Sequence, residues 1–332
     1  MLSWAPAIQE LALRPQQCAG SAPFASAATQ LTALRLAVDD LVSCTHADFL
    51  LEQCRQLQTL CWMGWSVSTV YPHSLREVTF HFTSMPTSSG VGGDSRHADA
   101  LMLRLARLPH LHSLTLILAS SSAMLPTTET LHCLRSLTVS FGLADRKSMD
   151  LQWLQAQQCD KLRVHVNSTG QDRCDASAMQ QTADRLQRLQ LHELHLSCNQ
   201  VTSQHLGMWQ GVRAMHRCSL TFYRCSGPLS HMPGGAELHI HVRASLGDIQ
   251  VSWESLLLAA ERVVILYART QYVLSFCSPG SMMHAQGLCR PWQITVHADT
   301  CPNAFPAIEA VRPGVYFWQN QAAATAGWTC QP

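Results

Sequence analysis

Two stretches of this chain carry residue types that could hold a metal ion: His239-x-His241, and a histidine pair bracketing a carboxylate, His192-Glu193-Leu194-His195. On a strand, side chains alternate between faces, so His239 and His241 fall on one side. No third donor stands at a fixed local spacing, and Cys-x-x-Cys and His-Glu-x-x-His are both absent. His192 and His195 lie three apart, not the four that separate the two ligands of a His-Glu-x-x-His helix. The sequence therefore predicts no metal site and no cofactor.

Nucleophilic and phosphate chemistry have no better footing. There is no G-x-S-x-G elbow, no G-x-x-x-x-G-K-[ST] phosphate loop and no G-x-G-x-x-G after a strand. Val91-Gly92-Gly93-Asp94 reads as a loop between proline and charge, not a strand-to-helix phosphate cradle. No catalytic residue is expected, and the chain reads as a non-enzyme.

A third group of residues suits recognition. His81, His165, His195, His239, His241 and His297 sit at alternate positions in apolar stretches, interleaved with Thr79, Ser113, Thr115, Ser136, Thr138, Ser219, Thr221 and Thr295. If those stretches are strands, one face is polar and histidine-rich. Such a face either changes charge between about pH 5 and 8, where imidazole titrates, or is simply solvated by neutral imidazole and hydroxyl groups.

The elements that must position these residues are legible from apolar spacing. Strict L-x-x-L-x-L occurs at Leu31, Leu111, Leu186 and Leu191; the last two overlap, so only one can be a strand. With other apolar residues allowed, the frame recurs at Leu31, Leu57, Leu75, Leu111, Leu134, Cys159, Leu191, Met215, Gly235, Ala260 and Cys289. The mean spacing is about 26 residues. Between the frames, 46–54, 98–108, 148–158, 176–190, 203–214 and 252–260 carry apolar residues at three-to-four spacing and read as short helices. Ser95, Ser148, Thr202 and Ser252 are candidate caps, whose side-chain oxygens accept from unpaired backbone N–H groups.

With Leu191, Leu194, Leu196, Asn199 and Val201 in place, the pattern L-x-x-L-x-L-x-x-N-x-L resembles a leucine-rich repeat. Its irregular spacing and cysteine content are similar to the helix-bearing, cysteine-containing or ribonuclease-inhibitor-like members. The resemblance covers roughly residues 28–297. It implies an α/β fold: a curved solenoid with a parallel inner sheet and outer short helices, each coil burying its apolar face against the next. Residues 1–27 would form an N-terminal cap or flexible segment, and residues 298–332 a C-terminal cap. Only Asn167 and Asn199 hold the asparagine position of the frame, which assigns both to turns, Asn167 despite its Asn-x-Thr context. Polar insertions are expected at 83–96 and 168–177. Trp62 and Tyr71, with Trp65, read as core aromatics.

The family resemblance further implies a protein-interaction scaffold. Its binding surface would be the concave face, carried by Glu77, Thr79, His81, Arg163, His165, Glu193, His195, Glu237, His239 and His241. A narrower version is the substrate-recognition subunit of a ubiquitin ligase, with a ligase adaptor as partner. The rival from another class is an enzyme or organellar assembly subunit on a non-repeat α/β fold, whose strand order would reverse at a switch point.

Composition bounds these readings. With 332 residues, 47% apolar and 14% charged, the chain can bury a large core. A net charge of +1 supplies no field for nucleic acid, so a protein partner is expected. No stretch is long and apolar enough to cross a bilayer, and the first 30 residues lack the pattern of a secretory leader or of an F-box. A cytoplasmic location follows as the expectation, with organellar import as the alternative. The 14 cysteines, several at apolar positions such as Cys54, Cys133, Cys159 and Cys218, read as buried reduced thiols.

Overall fold

A computed structural model of the protein describes residues 10–13, 28–38, 41–64, 67–82, 95–118, 130–143, 151–168, 176–242, 249–252, 255–256, 259–267, 274–277, 293–297 and 315–319. The chain divides into two compact units, Met1–Arg163 and Val164–Pro332. Both are α/β.

In the first unit the element order is β1 (Glu10–Leu13), β2 (Ala33–Val38), α1 (Leu41–Gln53), β3 (Thr59–Gly64), β4 (Glu77–Phe82), α2 (Ser95–Leu105), β5 (Ser113–Leu118), β6 (Ser136–Gly142) and α3 (Gln152–Ala156). Strand β7 (Lys161–Ser168) carries the division between the units. From β1 to β6 each strand pairs with its successor, always in parallel.

The register explains the apolar frame. Leu34, Leu60, Val78, Leu114 and Leu137 form one row across β2–β6; Leu36, Trp62, Phe80, Leu116 and Val139 form the next. Every one of these ten is at most 2% exposed, so alternate positions of each strand build the core. The core reading of Trp62 holds, and Tyr71 packs its buried ring edge-on against Phe80 at 6.2 Å.

A turn precedes each strand and repeats its chemistry. The N–H groups of Leu31, Leu57, Leu75, Leu111 and Leu134 donate to the carbonyls of Ala28, Cys54, Pro72, Leu108 and Leu131, three residues back. All of these but Pro72 are buried, so an apolar pair three apart plugs the entrance of each coil. The next carbonyl in line then serves the following coil twice. Thr32 O accepts from Gln58 and Thr59, Gln58 O from Arg76 and Glu77, Arg76 O from His112 and Ser113, and His112 O from Arg135 and Ser136. These pairings start each strand at the same height as its neighbour and leave no orphaned backbone groups at those positions.

Helices cover the intervals where the sequence leaves room. Helix α1 buries Cys44, Ala47, Leu50 and Leu51, and α2 buries Leu101, Met102 and Leu105, both at helical spacing. Asp48 of α1 accepts from Ser68 Oγ and Thr69 N, and Arg104 of α2 donates to Ser68 O at 2.5 Å. The segment leading into β4 is thereby tied to two helices.

The second unit contains α4 (Ala176–Leu186), β8 (Leu191–Thr202), α5 (Ser203–Trp209), β9 (Arg213–Ser226), β10 (Gly234–Val242), β11 (Ile249–Ser252), β12 (Ala260–Tyr267), β13 (Leu274–Cys277), β14 (Gln293–His297) and β15 (Val315–Gln319). Here β8, β9, β10, β12, β14 and β15 are neighbours in that order, all parallel. Helix α4 buries Ala178, Met179, Thr182, Ala183 and Leu186. Thr182 is satisfied by donating to Ala178 O. Thr202 caps α5 as expected, accepting from His205 N at 3.1 Å.

Several expectations need correcting. Of the overlapping frames, Leu191 opens a strand, while Leu186 ends α4 and its carbonyl accepts from Leu189 N in the turn ahead of β8. Asn199 and Asn167 lie within β8 and β7, not in turns, because both strands run past the frame. Ser252, read as a helix cap, closes β11, which pairs with β13 in a separate two-stranded sheet and meets Leu229 through a single parallel bridge at Val251. The frame placed at Cys289 is shifted by two residues, since Ile294 is the partner of Val263. Cys133 is exposed because Leu131 and Leu134 take the core positions around it; Cys54 and Cys218 are buried free thiols as read. Strands β1 and β15 fall inside the segments assigned to caps, each pairing with the strand beside it. Trp65, Ser148, most of the two polar insertions and most of both end segments lie outside the described residues. No helix among the described residues is long and apolar enough to cross a membrane.

Candidate functional site

The face opposite the core is set by the same alternation. In the first unit its rows read Thr59–Glu77–Ser113–Ser136, then Cys61–Thr79–Thr115–Thr138, then Met63–His81–Ile117–Ser140. Glu77 is exposed, and Thr79 and His81 are half-buried. Burial, with a contribution from the Arg35 charge, holds the His81 imidazole below its ordinary range. Arg163 donates to Ser136 Oγ at 3.1 Å. This surface is dominated by short hydroxyl side chains.

An open cleft of about 460 Å³ lies where the strands of this unit begin, lined by Arg55, Gln56, Gln58, His73, Ser74, Arg76 and His110. Its lining holds two guanidinium groups and no carboxylate.

The second unit carries the charge. Glu193, Arg217, Glu237 and Arg262 occupy one row across β8, β9, β10 and β12, so opposite charges alternate at strand spacing. Glu237 is the centre of this row. Its Oε1 accepts from Arg262 at 2.7 Å, and its Oε2 lies 3.4 Å from an Arg217 nitrogen and 3.3 Å from His239 Nε2. Burial alone would push the Glu237 carboxyl up. The hydrogen bonds from His239 and Arg262, with the charges of Arg262 and Arg217, outweigh it and hold the group below the usual carboxylate range. His239 is held low by burial first and by Arg217 next, against the opposing pull of Glu237.

The following rows are imidazole and hydroxyl. His195, Ser219 and His239 are neighbours, as are Ser197, Thr221 and His241. The rings of His165 and His195 lie 5.3 Å apart, and those of His239 and His241 are 6.2 Å apart at 22°. Ser219 and Thr221, read as outward-facing, are buried. They are short side chains on the middle strand, Ser219 lying between His195 and His239, and Thr221 beside His241.

A fault in β9 breaks the alternation. Ala214 pairs with Leu191 on one side and Gly235 on the other, while Arg217 pairs with Glu193 and Glu237. Met215 and His216 on β9 therefore face single residues, His192 and Ala236, on the neighbouring strands, which is a β-bulge. Met215, taken in sequence as an inward frame position, is 59% exposed, and Ala214 is buried in its place. The bulge also brings the His216 ring onto His192, with centroids 5.2 Å apart and planes within 8°. His192 Nδ1 lies 3.5 Å from Glu193 Oε1.

The ten residues expected to form one surface thus fall into two sets. Glu77, Thr79, His81 and Arg163 belong to the first unit; His165, Glu193, His195, Glu237, His239 and His241 belong to the second. Within the second set, Glu237 and His239 touch, as do His165 with His195 and His239 with His241. Sequence reasoning missed Arg217, Arg262 and His216, and it weighed His192 only against His195 and set it aside. The first two were findable by stepping back two residues from Ser219 and from the position paired with His239. His216 needed the bulge.

Compared with protein-family models, curated proteins and solved structures, the chain matches none.

Proposed function

We propose that this protein is a non-catalytic interaction scaffold, an irregular leucine-rich-repeat solenoid that takes a protein partner on the polar face of its parallel strands. One observation carries the reading: within each unit the strands of the main sheet are parallel and run in chain order, β11 and β13 standing apart in a second sheet, with most of the frame's apolar residues inward and a largely polar opposite face. A doubly wound enzyme fold would reverse strand order at its ligand site. A repeat stack does not, and its usual working surface is the strand face, which the repeat reading makes concave.

Within that face, the second unit supplies the recognition chemistry. The Glu193–Arg217–Glu237–Arg262 row offers alternating charges of fixed register, and the imidazoles beside it donate or accept hydrogen bonds. A partner with a complementary pattern gains specificity and register from such a surface. Ubiquitin-ligase substrate recognition is one narrower form of the same reading, distinguished by which partner is recovered.

The test is proximity cross-linking and co-purification of the full chain in parallel with two variants. The first joins Arg217→Glu, Arg262→Glu and His195→Ala on the strand face. The second joins Gln180→Ala and Asp184→Ala on the exposed side of α4. Partners lost with the first variant and kept with the second support the reading, and a ligase adaptor among them selects the narrower form. Identical partners for all three chains, with the variants folded as judged by circular dichroism, would overturn it.

A further inference from the structure

We propose that His192, Glu193 and His216 form a binding site for a divalent transition-metal ion, with zinc as the ion it fits best. The inference is independent of the interaction reading and arises from the bulge in β9. Each of these residues offers one donor atom, and the three donors lie within 4.8 Å of one another.

The donor set is the first argument. Two imidazole nitrogens and one carboxylate oxygen are ligands that zinc takes in three-ligand sites, leaving a fourth position open. Imidazole also excludes the hard cations, which prefer all-oxygen shells. Glu193 keeps the site from accumulating positive charge.

Geometry is the second. Tetrahedral zinc with bonds of about 2.0–2.1 Å places its ligand atoms roughly 3.4 Å apart. The side chains therefore have to draw in by about 1.4 Å at most. Glu193 and His192 are adjacent on one strand, their reacting atoms already 3.5 Å apart. His216 is exposed, so its ring has room to turn from the stacked arrangement until its nitrogen points at the ion.

Chain topology is the third. On a regular strand His216 and Arg217 would point to opposite faces, and Arg217 is the residue opposite Glu193. The extra residue in β9 is what allows an imidazole to approach the Glu193 carboxylate while Arg217 keeps its place in the charged row. Bulges re-aim side chains in this way next to functional sites. It also explains why local spacing on β8 does not disclose the site: the third ligand comes from the next strand, not from His195. The open coordination position would be filled by water or by a donor from a bound protein.

The experiment uses the full chain stripped of metal with a chelator. Co2+ serves as a spectroscopic probe, and Zn2+ affinity is read by competition with a chromophoric chelator. One site per chain is expected, with visible ligand-field bands of a four-coordinate nitrogen/oxygen shell. Since losing an outer-shell partner already costs 10–100-fold in affinity, His192→Ala and His216→Ala should each weaken Zn2+ by at least about 100-fold. Glu193→Gln should weaken it too, and His132→Ala, an exposed histidine of the first unit, should not. The Glu193→Gln chain keeps the size and shape of the side chain, so it tests the site even if a histidine variant misfolds. Unchanged affinity in Glu193→Gln and His216→Ala, several equivalent weak sites, or a thiolate-to-cobalt charge-transfer band marking cysteine ligation would each overturn the proposal.

Discussion

Replacing Glu237 by glutamine removes a charge from the middle of a row while leaving the size of the side chain intact. The carboxylate is 18% exposed, but its partners Arg262 and Arg217 are 55% and 41% exposed, so both ion pairs belong to the weakly stabilising surface class. The 2.7 Å contact with Arg262 belongs near the top of the 0.2–1 kcal/mol range measured for such pairs, and the 3.4 Å contact with Arg217 near the bottom. Adding the lost acceptor for His239, the expected destabilisation is about 1–1.5 kcal/mol at low salt. Urea unfolding of the parent, Glu237→Gln, Arg262→Gln and the double variant isolates the pair, with an expected coupling of roughly 0.5–1 kcal/mol. The coupling should shrink at 1 M salt, where the screening length is about 3 Å. A Glu237→Gln loss below about 0.3 kcal/mol, or zero coupling with Arg262, would refute the view that this row is held together by its charges.

Two further outcomes follow from the strand packing. A Cβ built on Gly64 would lie 2.1 Å from the carbonyl oxygen of Val38 on the adjacent strand, and backbone cannot move aside as a side-chain tip can. Gly64→Ala is expected to cost at least the roughly 1–3 kcal/mol typical of overpacking, read by urea or thermal unfolding, and a neutral effect would mean that β2 and β3 are not in this register. Acid should weaken the second unit in two stages. His239 is held below its unfolded value, so the unfolded state takes up the proton first and stability falls as the pH drops through about 6.5. Glu237 is also held low, so its share is present above the unfolded carboxylate value and is lost as the pH falls further. His239→Gln should remove the first stage and leave the second; a stability profile that rises on acidification would contradict both.

What was legible in the sequence was whatever depends on one strand alone. Alternation in Leu34-x-Leu36 or Leu194-x-Leu196 fixes which side chains are buried, because period two is a local property. Thr202 could be read as a cap for the same reason. Relations between strands were harder to see. The two-residue offset at Cys289, the exposed Met215 and the pairing of β11 with β13 depend on how a neighbour is aligned, which spacing within one segment does not encode. Cys133 looked apolar by composition, yet two leucines within two residues of it competed better for the same interior space. Of the candidate surface, Glu237, His239 and His241 could be named from alternation. Their partnership with Arg217 and Arg262 could not, because it is a cross-strand fact.

The doubled acceptance by Thr32, Gln58, Arg76 and His112 bears on how the first unit comes apart. Each of these carbonyls is saturated only while the following coil stays docked, so the backbone is stitched hand to hand down the row. Loosening at one end strips a single pair of bonds and leaves the remaining stitches intact. Opening therefore costs least at the outermost strands and most near the middle, and amide exchange should slow progressively from the margins inward rather than switch on everywhere at once.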